Sequence, residues 1–131
     1  MSLQGRGYTG EILHADLSNE SFKVEALDEK VAKLLLGGKG LGAWMLYKMM
    51  KPGLDPLAPE APLIFITGPL TGTLAPCSKF AVVAKSPATG TIDDSYSGSF
   101  FGPGLKYTGY DGLVVSGKSE KPQLLKEETA W

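Results

Sequence analysis

Residues 68–112 read GPLTGTLAPCSKFAVVAKSPATGTIDDSYSGSFFGPGLKYTGYDG, and the rest of the chain is best understood outward from them. The stretch is crowded with Gly, Ser, Thr and Pro, yet it is not low-complexity. Two apolar, strand-like pieces, Phe80 to Ala84 and Leu113 to Ser116 just beyond it, alternate with tight turn dipeptides. Glycine lets a backbone approach a ligand closely because no Cβ stands in the way, and Ser and Thr hydroxyls can donate or accept. Glycine-punctuated polar loops set between strands predict a surface built to hold something.

Upstream, Tyr8 to Asp16 alternates as a strand does, Leu17 to Ser21 is a polar turn, and Phe22 to Glu25 alternates again, which predicts a β-hairpin. Asp28 is placed as an N-cap, with Glu29 in the first turn and Val31, Leu34 and Leu35 at helical spacing. Gly37-Gly38 ends that helix. A second helix is expected from Leu41 to Met50, with Leu41, Met45 and Leu46 on one face and Trp44, Tyr47 and Lys48 on another, stopped by Lys51-Pro52-Gly53. After a proline-punctuated connector, Leu63 to Ile66 is a continuous apolar run suited to a buried strand. Phe80 to Lys85 reads as a strand, Thr91-Ile92 as the start of a short one, and Gly98 to Gly109 as a short helix or a folded loop. Gly112 to Ser116 is a further strand, with Gln123 to Lys126 as one more candidate. Strands outnumber helices, and the two predicted helices are adjacent rather than interleaved with strands. The expected class is α+β, with a mixed or antiparallel sheet and a pair of adjacent helices.

Composition bounds the partners. The 131 residues are expected to form one domain, 1–131. Apolar residues make up 43%, as in an ordinary globular core, and the net charge of −1 gives no electrostatic case for nucleic acid or an anionic membrane. No apolar run reaches the length of a membrane span, and the N-terminus lacks a signal-peptide pattern, so a cytoplasmic location is expected. One cysteine and one histidine exclude an internal disulfide, a cysteine-held iron–sulfur cluster and a His-rich metal site within this chain.

Gly37-Gly38-Lys39-Gly40-Leu41-Gly42 has two readings. A glycine loop feeding a helix N-terminus can bind phosphate. It follows a helix rather than a strand, however, and lacks the ending of a P-loop, so a close-packed helix–helix corner is favoured. Asp93-Asp94 is assigned to a turn or cap, since adjacent strand residues point to opposite faces and cannot share a site. Cys77 is expected as a small buried hydrophobe, and His14 as a surface or packed residue. Trp44, Tyr107 and Tyr110 are expected in core or interface.

Five motifs in order carry a family resemblance: GYTGEILHADLSNE from Gly7, GGKGLGAWMLY from Gly37, DPLAPEAPLIFITGPL from Asp55, AKSPATGTIDDS from Ala84 and SGSFFGPGLKYTGYDG from Ser97. The chain resembles the N-terminal, tungstopterin-binding domain of the aldehyde ferredoxin oxidoreductase family, in truncated form. The resemblance implies part of an enzyme that oxidises aldehydes to carboxylic acids and passes electrons to ferredoxin. It also implies a tungsten bis-pterin (molybdopterin) cofactor and a [4Fe–4S] cluster held by other domains. The implied partners are ferredoxin and those cluster-binding domains. No catalytic residue and no metal-ligating side chain is expected here, and the chain alone is expected to be inactive. A non-catalytic fragment or split subunit that self-associates is the alternative.

The resemblance implies cofactor-binding roles for Lys79, Tyr96, Ser97 and Gly98. In the family an arginine usually precedes the strand matching Phe80 to Ala84, and Lys79 stands there, keeping the charge without the planar fork. The usual Asn-Ser-Gly-Gly reads Tyr96-Ser97-Gly98-Ser99 in this chain. Lys39 is placed toward the same cavity, and Thr67 to Thr73 is either a structural strand-end loop or a cradle using its N–H groups and threonine hydroxyls.

Overall fold

The computed structural model describes residues 7–124. Strands β1 (Glu11–Asp16) and β2 (Ser21–Ala26) form the expected hairpin, paired from Glu11 opposite Ala26 to Asp16 opposite Ser21. Helices α1 (Glu29–Leu35) and α2 (Gly38–Met49) follow, then β3 (Leu63–Ile66), β4 (Phe80–Lys85), β5 (Ile92–Ser97), α3 (Phe101–Tyr107) and β6 (Gly112–Ser116). The six strands make one sheet in the order β2-β1-β6-β3-β4-β5. Only β1 and β6 run parallel; every other neighbouring pair is antiparallel. The α+β class with a mixed sheet and two adjacent helices is therefore observed.

Strand alternation sorts the side chains onto two faces. Ile12, Ile64, Ile66, Ala81, Val83 and Val114 point to the α1–α2 side and pack with Leu41, Met45 and Leu46 of α2. Fully burying each of the larger of these side chains contributes about 1.5–3 kcal/mol. Gly42 permits the close approach of α2: a Cβ there would lie 2.7 Å from Val83 Cγ2 and 3.0 Å from Ile66 Cγ2. On the other face α3 lays Leu105 against Ala15 and Leu113. Phe101 joins Phe65 and Phe80 in an aromatic cluster, with ring centroids 4.6–6.3 Å apart.

Asp28 caps α1 as its position predicts, its Oδ1 accepting from the Lys30 amide at 2.8 Å. Helix α2 begins at Gly38, earlier than the expected Leu41. The reason is tertiary: the Gly38 amide donates to the Thr67 carbonyl at 2.9 Å, and at Gly37 a Cβ would come within 2.7 Å of that same oxygen. The close-packed corner read from the glycines is thus real. Within Gly98 to Gly109, Phe101–Tyr107 is a helix, with Pro103 in its first turn, where a missing N–H costs nothing.

Two expectations need correction. Asp93 and Asp94 are not in a turn or cap but inside β5, where Asp94 pairs with Val83 and Asp93 with Ala84. This edge strand is largely solvent-exposed, so its sequence shows no apolar period. Gln123 and Leu124 form no strand; the remainder of that candidate, residues 125–126, lies outside the described residues.

Candidate functional site

At the N-terminal end of α2 a cleft of about 250 Å³ opens. Its walls are Leu36, Gly37 and Gly38 on one side and Gly68 and Pro69 on another. The sheet edge supplies Ile66, Lys79, Phe80, Ala81 and Tyr96. Alternation explains the last of these: Tyr96 pairs with Ala81 and so shares its helix-facing side.

Backbone rather than side chain forms much of the wall. A Cβ added at Gly38 or at Gly68 would meet nothing within 4 Å, so both glycines present bare main chain to open space. Gly38 also has φ +53, which favours glycine. No side chain caps the start of α2, and the first-turn amides of a helix lack intrahelical partners and carry partial positive charge. Leu36, between the helices, holds φ 62 and ψ −57, a strained conformation for a non-glycine residue that costs about 1–3 kcal/mol.

The sequence-predicted residues divide. Lys79 and Tyr96 meet in the cleft, both exposed. Ser97 pairs with Phe80 and points to the opposite, α3-bearing face. Gly98 follows it, and a Cβ there would sit 3.6 Å from Ser78 Oγ. Ser99 has φ 75, a conformation that suits the glycine the family usually places there. Lys39 projects across to β5, where its ammonium meets Asp94 at 2.8 Å; that hydrogen bond holds the Lys39 pKa above its usual value. Among the described residues Lys79 has no carboxylate partner.

The threonine hydroxyls of the Thr67–Thr73 loop are already engaged. Thr67 Oγ1 donates to the Asp111 carbonyl at 2.6 Å, Thr71 Oγ1 to the Lys79 carbonyl at 3.0 Å and Thr73 Oγ1 to the Leu70 carbonyl at 2.8 Å. They shape the loop, and so do most of its amides: Thr67 N–H donates to the Asp111 carbonyl, Gly68 N–H to Thr71 Oγ1, Thr71 N–H to the Gly68 carbonyl and Thr73 N–H to the Leu70 carbonyl. Cys77 is only half-buried, its Sγ 4.0 Å from Thr71 Oγ1. His14 packs partly buried on β1, its Nε2 3.3 Å from Glu25.

The cleft also rests on a buried network that sequence reading missed. Lys106 and Asp111 form an ion pair, at 8% and 1% exposure. Asp111 also accepts from the Thr9 and Gly10 amides at 3.1 and 2.8 Å, and the Lys106 ammonium donates to the Gly7 carbonyl at 2.6 Å. That ammonium lies 5.4 Å from the ring centroid of Tyr8. The Tyr8 hydroxyl donates to the Leu36 carbonyl at 2.5 Å, and burial, then the Asp111 charge, raises its pKa. The sequence carries no signal for this network, because the bonds that tie the Lys106–Asp111 pair to Gly7, Thr9 and Gly10 join positions about a hundred residues apart.

Comparison with known proteins identifies the family. Residues 12–128 match the family model described as aldehyde ferredoxin oxidoreductase, N-terminal domain. The tungsten-containing aldehyde ferredoxin oxidoreductase of Pyrococcus furiosus is 50% identical over 117 residues, 88% of this chain and 19% of that protein. The aliphatic sulfonate oxidoreductase, WOR-like subunit, of the same organism is 40% identical over 121 residues, 90% of this chain and 19% of that protein. A solved structure, the active site complex BamBC of benzoyl coenzyme A reductase in complex with 1,5-dienoyl-CoA, superposes with a TM-score of 0.85 at 38% identity. That match covers 88% of this chain and 18% of the other. The chain therefore spans about a fifth of the length of the curated relatives it matches. With the motifs, the sheet and the sequence identities in accord, the chain belongs to the aldehyde ferredoxin oxidoreductase family, matching its N-terminal domain.

Proposed function

We propose that this chain acts as the cofactor-cradling N-terminal part of a tungsten bis-pterin aldehyde:ferredoxin oxidoreductase, with residues 1–131 working as one domain. The observation behind this reading is the cleft at the start of α2. There bare glycine backbone, the N-terminal end of the α2 dipole, the Lys79 ammonium and the Tyr96 ring converge on one space.

The residues present fit part of such a cofactor. At about 250 Å³ the cleft is smaller than the usual ~300–1,000 Å³ of small-molecule sites, so it suits one pterin edge or its phosphate, not two pterins. Gly38 and Gly68 let a flat or anionic group approach the main chain. Lys79 binds a phosphate or polar ring edge as a point charge, and Tyr96 offers a ring face and one hydroxyl. The ion pair with Asp94 pins Lys39 beside the same helix start. Ser97 and Gly98 do not line the cleft; on this reading they offer main chain to a part of the cofactor that extends beyond it. When bound, the tungsten–pterin group supplies the redox centre for oxidising an aldehyde to a carboxylic acid, and the protein supplies binding and orientation.

An iron–sulfur cluster does not fit this chain. Among the described residues no group of three or more His, Cys, Asp or Glu could hold a metal ion, so this reading assigns the cluster, and the contact with ferredoxin, to other domains. No helix among the described residues is long and apolar enough to cross a membrane.

The test is to purify the chain from tungstate-supplemented cells and measure tungsten and pterin fluorescence. Stoichiometric tungsten and pterin is the expected result; absence of both sinks the reading. No aldehyde oxidation is expected from this polypeptide alone, and turnover with a viologen dye would overturn that. A self-associating, non-catalytic module is the second reading, favoured by the exposed large apolar residues Leu36, Leu70, Leu74, Phe100 and Tyr107. A discrete dimer lacking tungsten and pterin would establish it.

A further inference from the structure

Leu36 lies at a point of conflict. It lines the cleft, it is a leucine held at φ 62, and its two neighbours toward α2 are glycines. A strained non-glycine turn persists only where its surroundings over-determine it. The restraints on this turn can be named. The Leu36 amide donates to the Ala32 carbonyl at 2.8 Å, the Gly37 amide to Leu35 at 2.7 Å and the Gly38 amide to Thr67 at 2.9 Å. Among the described residues the Leu36 carbonyl has a single long-range partner, the Tyr8 hydroxyl, twenty-eight positions away in sequence.

Tyr8 is itself fixed. Its ring lies beneath the Lys106 ammonium, which the buried carboxylate of Asp111 holds in place. A phenol has one proton to give; the 2.5 Å contact to Leu36 takes it, and the 3.3 Å contact to the Ala32 carbonyl is the weaker one. A rigid ionic anchor on the α3 side of the molecule is thus connected through one hydroxyl to the turn that forms a cleft wall and starts α2.

We propose that Tyr8 is a positioning residue for the cleft, its hydroxyl holding the strained Leu36–Gly38 turn in the shape that exposes the Gly38 main chain. Its importance for cofactor binding rests on the function proposed above; its control of the turn does not. The test separates the two. Y8F keeps the ring, and so its packing against Lys106, and removes only the hydroxyl. In the full 131-residue chain, hydrogen exchange at the Gly37, Gly38, Lys39 and Gly40 amides is expected to speed by about tenfold, the equivalent of one lost hydrogen bond. Exchange at Ile64 and Val114 in the core should not change. Unchanged exchange at residues 37–40, or an equal rise everywhere, overturns the proposal.

A rescue distinguishes positioning from packing. Glycine takes φ 62 without strain, so L36G should restore protection of Gly38 in the Y8F background. Failure of that rescue also overturns the proposal. Should Y8F alone not hold its fold, Y8F/L36G decides: it must fold with the turn protected, and an unfolded double variant makes Tyr8 a core residue only. Tungsten content is measured in parallel. A wild-type chain without tungsten removes the cofactor reading and leaves the exchange result to decide the role of Tyr8.

Discussion

Helix α2 has a cleft of about 250 Å³ near each end, both with open glycines in their walls, and the two meet opposite ends of its dipole. The C-terminal cleft is walled by side chains of Leu46, Tyr47, Met50 and Ile92 and closed by the Lys51-Pro52-Gly53 turn. Its inner lysine is already engaged: Lys85 Nζ donates to the Leu54 carbonyl at 2.7 Å. The helix dipole there points its negative end outward. The N-terminal cleft has a wall of glycine main chain, the positive end of the same dipole, and in Lys79 an ammonium with no carboxylate partner among the described residues. Size therefore does not distinguish a binding site from a surface hollow. The distinction lies in the helix end that each cleft meets and in the lysine on its sheet wall, engaged at Lys85 and, among the described residues, without a carboxylate partner at Lys79.

The largest effect should come from the scaffold under the N-terminal cleft. Asp111→Asn leaves the Lys106 charge buried without its counter-ion, and losing one partner of a buried pair costs about 3–5 kcal/mol. Urea denaturation would read this as a large drop in midpoint. A cost no greater than that of an ordinary surface change would mean the cleft does not rest on this network. The C-terminal cleft has no such foundation: Lys85→Met removes one bond to a carbonyl and should cost about 1 kcal/mol.

The glycines give the next contrast. At Gly42 a Cβ would lie 2.7 Å from Val83 and 3.0 Å from Ile66, so Gly42→Ala overpacks the α2–sheet contact and should cost about 1–3 kcal/mol. At Gly68 a Cβ meets open space, so Gly68→Ala should change stability by no more than about 0.5 kcal/mol while lowering retained tungsten. Thermal unfolding of both variants, with metal analysis of the second, checks the pair. Equal destabilisation would erase the difference between a packing glycine and a cleft glycine.

Lysines sharpen the comparison further. Lys79→Ala should leave stability within about 0.5 kcal/mol and reduce tungsten retention several-fold, whereas Lys85→Met should do the reverse. If both lysines affected retention alike, general surface charge and not the N-terminal cleft would be holding the cofactor.

Much of this architecture was legible because it is local. The apolar run Leu63–Ile66, the cap at Asp28, the hairpin and the glycine corner each declare themselves within a few residues. Lys79 and Tyr96 were found through motif resemblance, and strand pairing brings them to one cleft. What sequence could not show is long-range or unpatterned. Strand β5 is an exposed polar edge without a period. The Tyr8–Leu36 and Asp111–Gly10 bonds join positions whose neighbourhood only the closed sheet creates. The threonines of the Gly68 loop looked available in sequence and are consumed by the fold, because buried hydroxyls must find partners.

The smallest predicted effect lies in neither cleft and serves as the control for both. His14 sits on the helix-facing side of β1, in a hollow lined by Ile12, Leu27, Trp44 and Met45 with Glu25 at its edge. Burial is the main influence and lowers its pKa below the ordinary 6.5; the Glu25 charge opposes this and Lys23 adds to it. A histidine with a lowered folded pKa binds fewer protons than it does unfolded, so stability rises with pH across the window between the two values. The contribution is complete above 6.5 and is lost as pH falls through the folded value. Below that window Asp16, whose pKa is lowered chiefly by its hydrogen bond from Asn19, acts in the same direction but only near and beneath 3.8. Unfolding midpoints measured from about pH 5 to 8 should therefore decline modestly on the acid side, and His14→Gln should flatten that decline. Exchange of the Gly37–Gly40 amides, corrected for global stability, should not follow it, because no described bond links His14 to the turn. A turn that loosened in step with His14 would show the two ends of α2 to be coupled through the hairpin, and the contrast between its clefts would no longer be one of local construction alone.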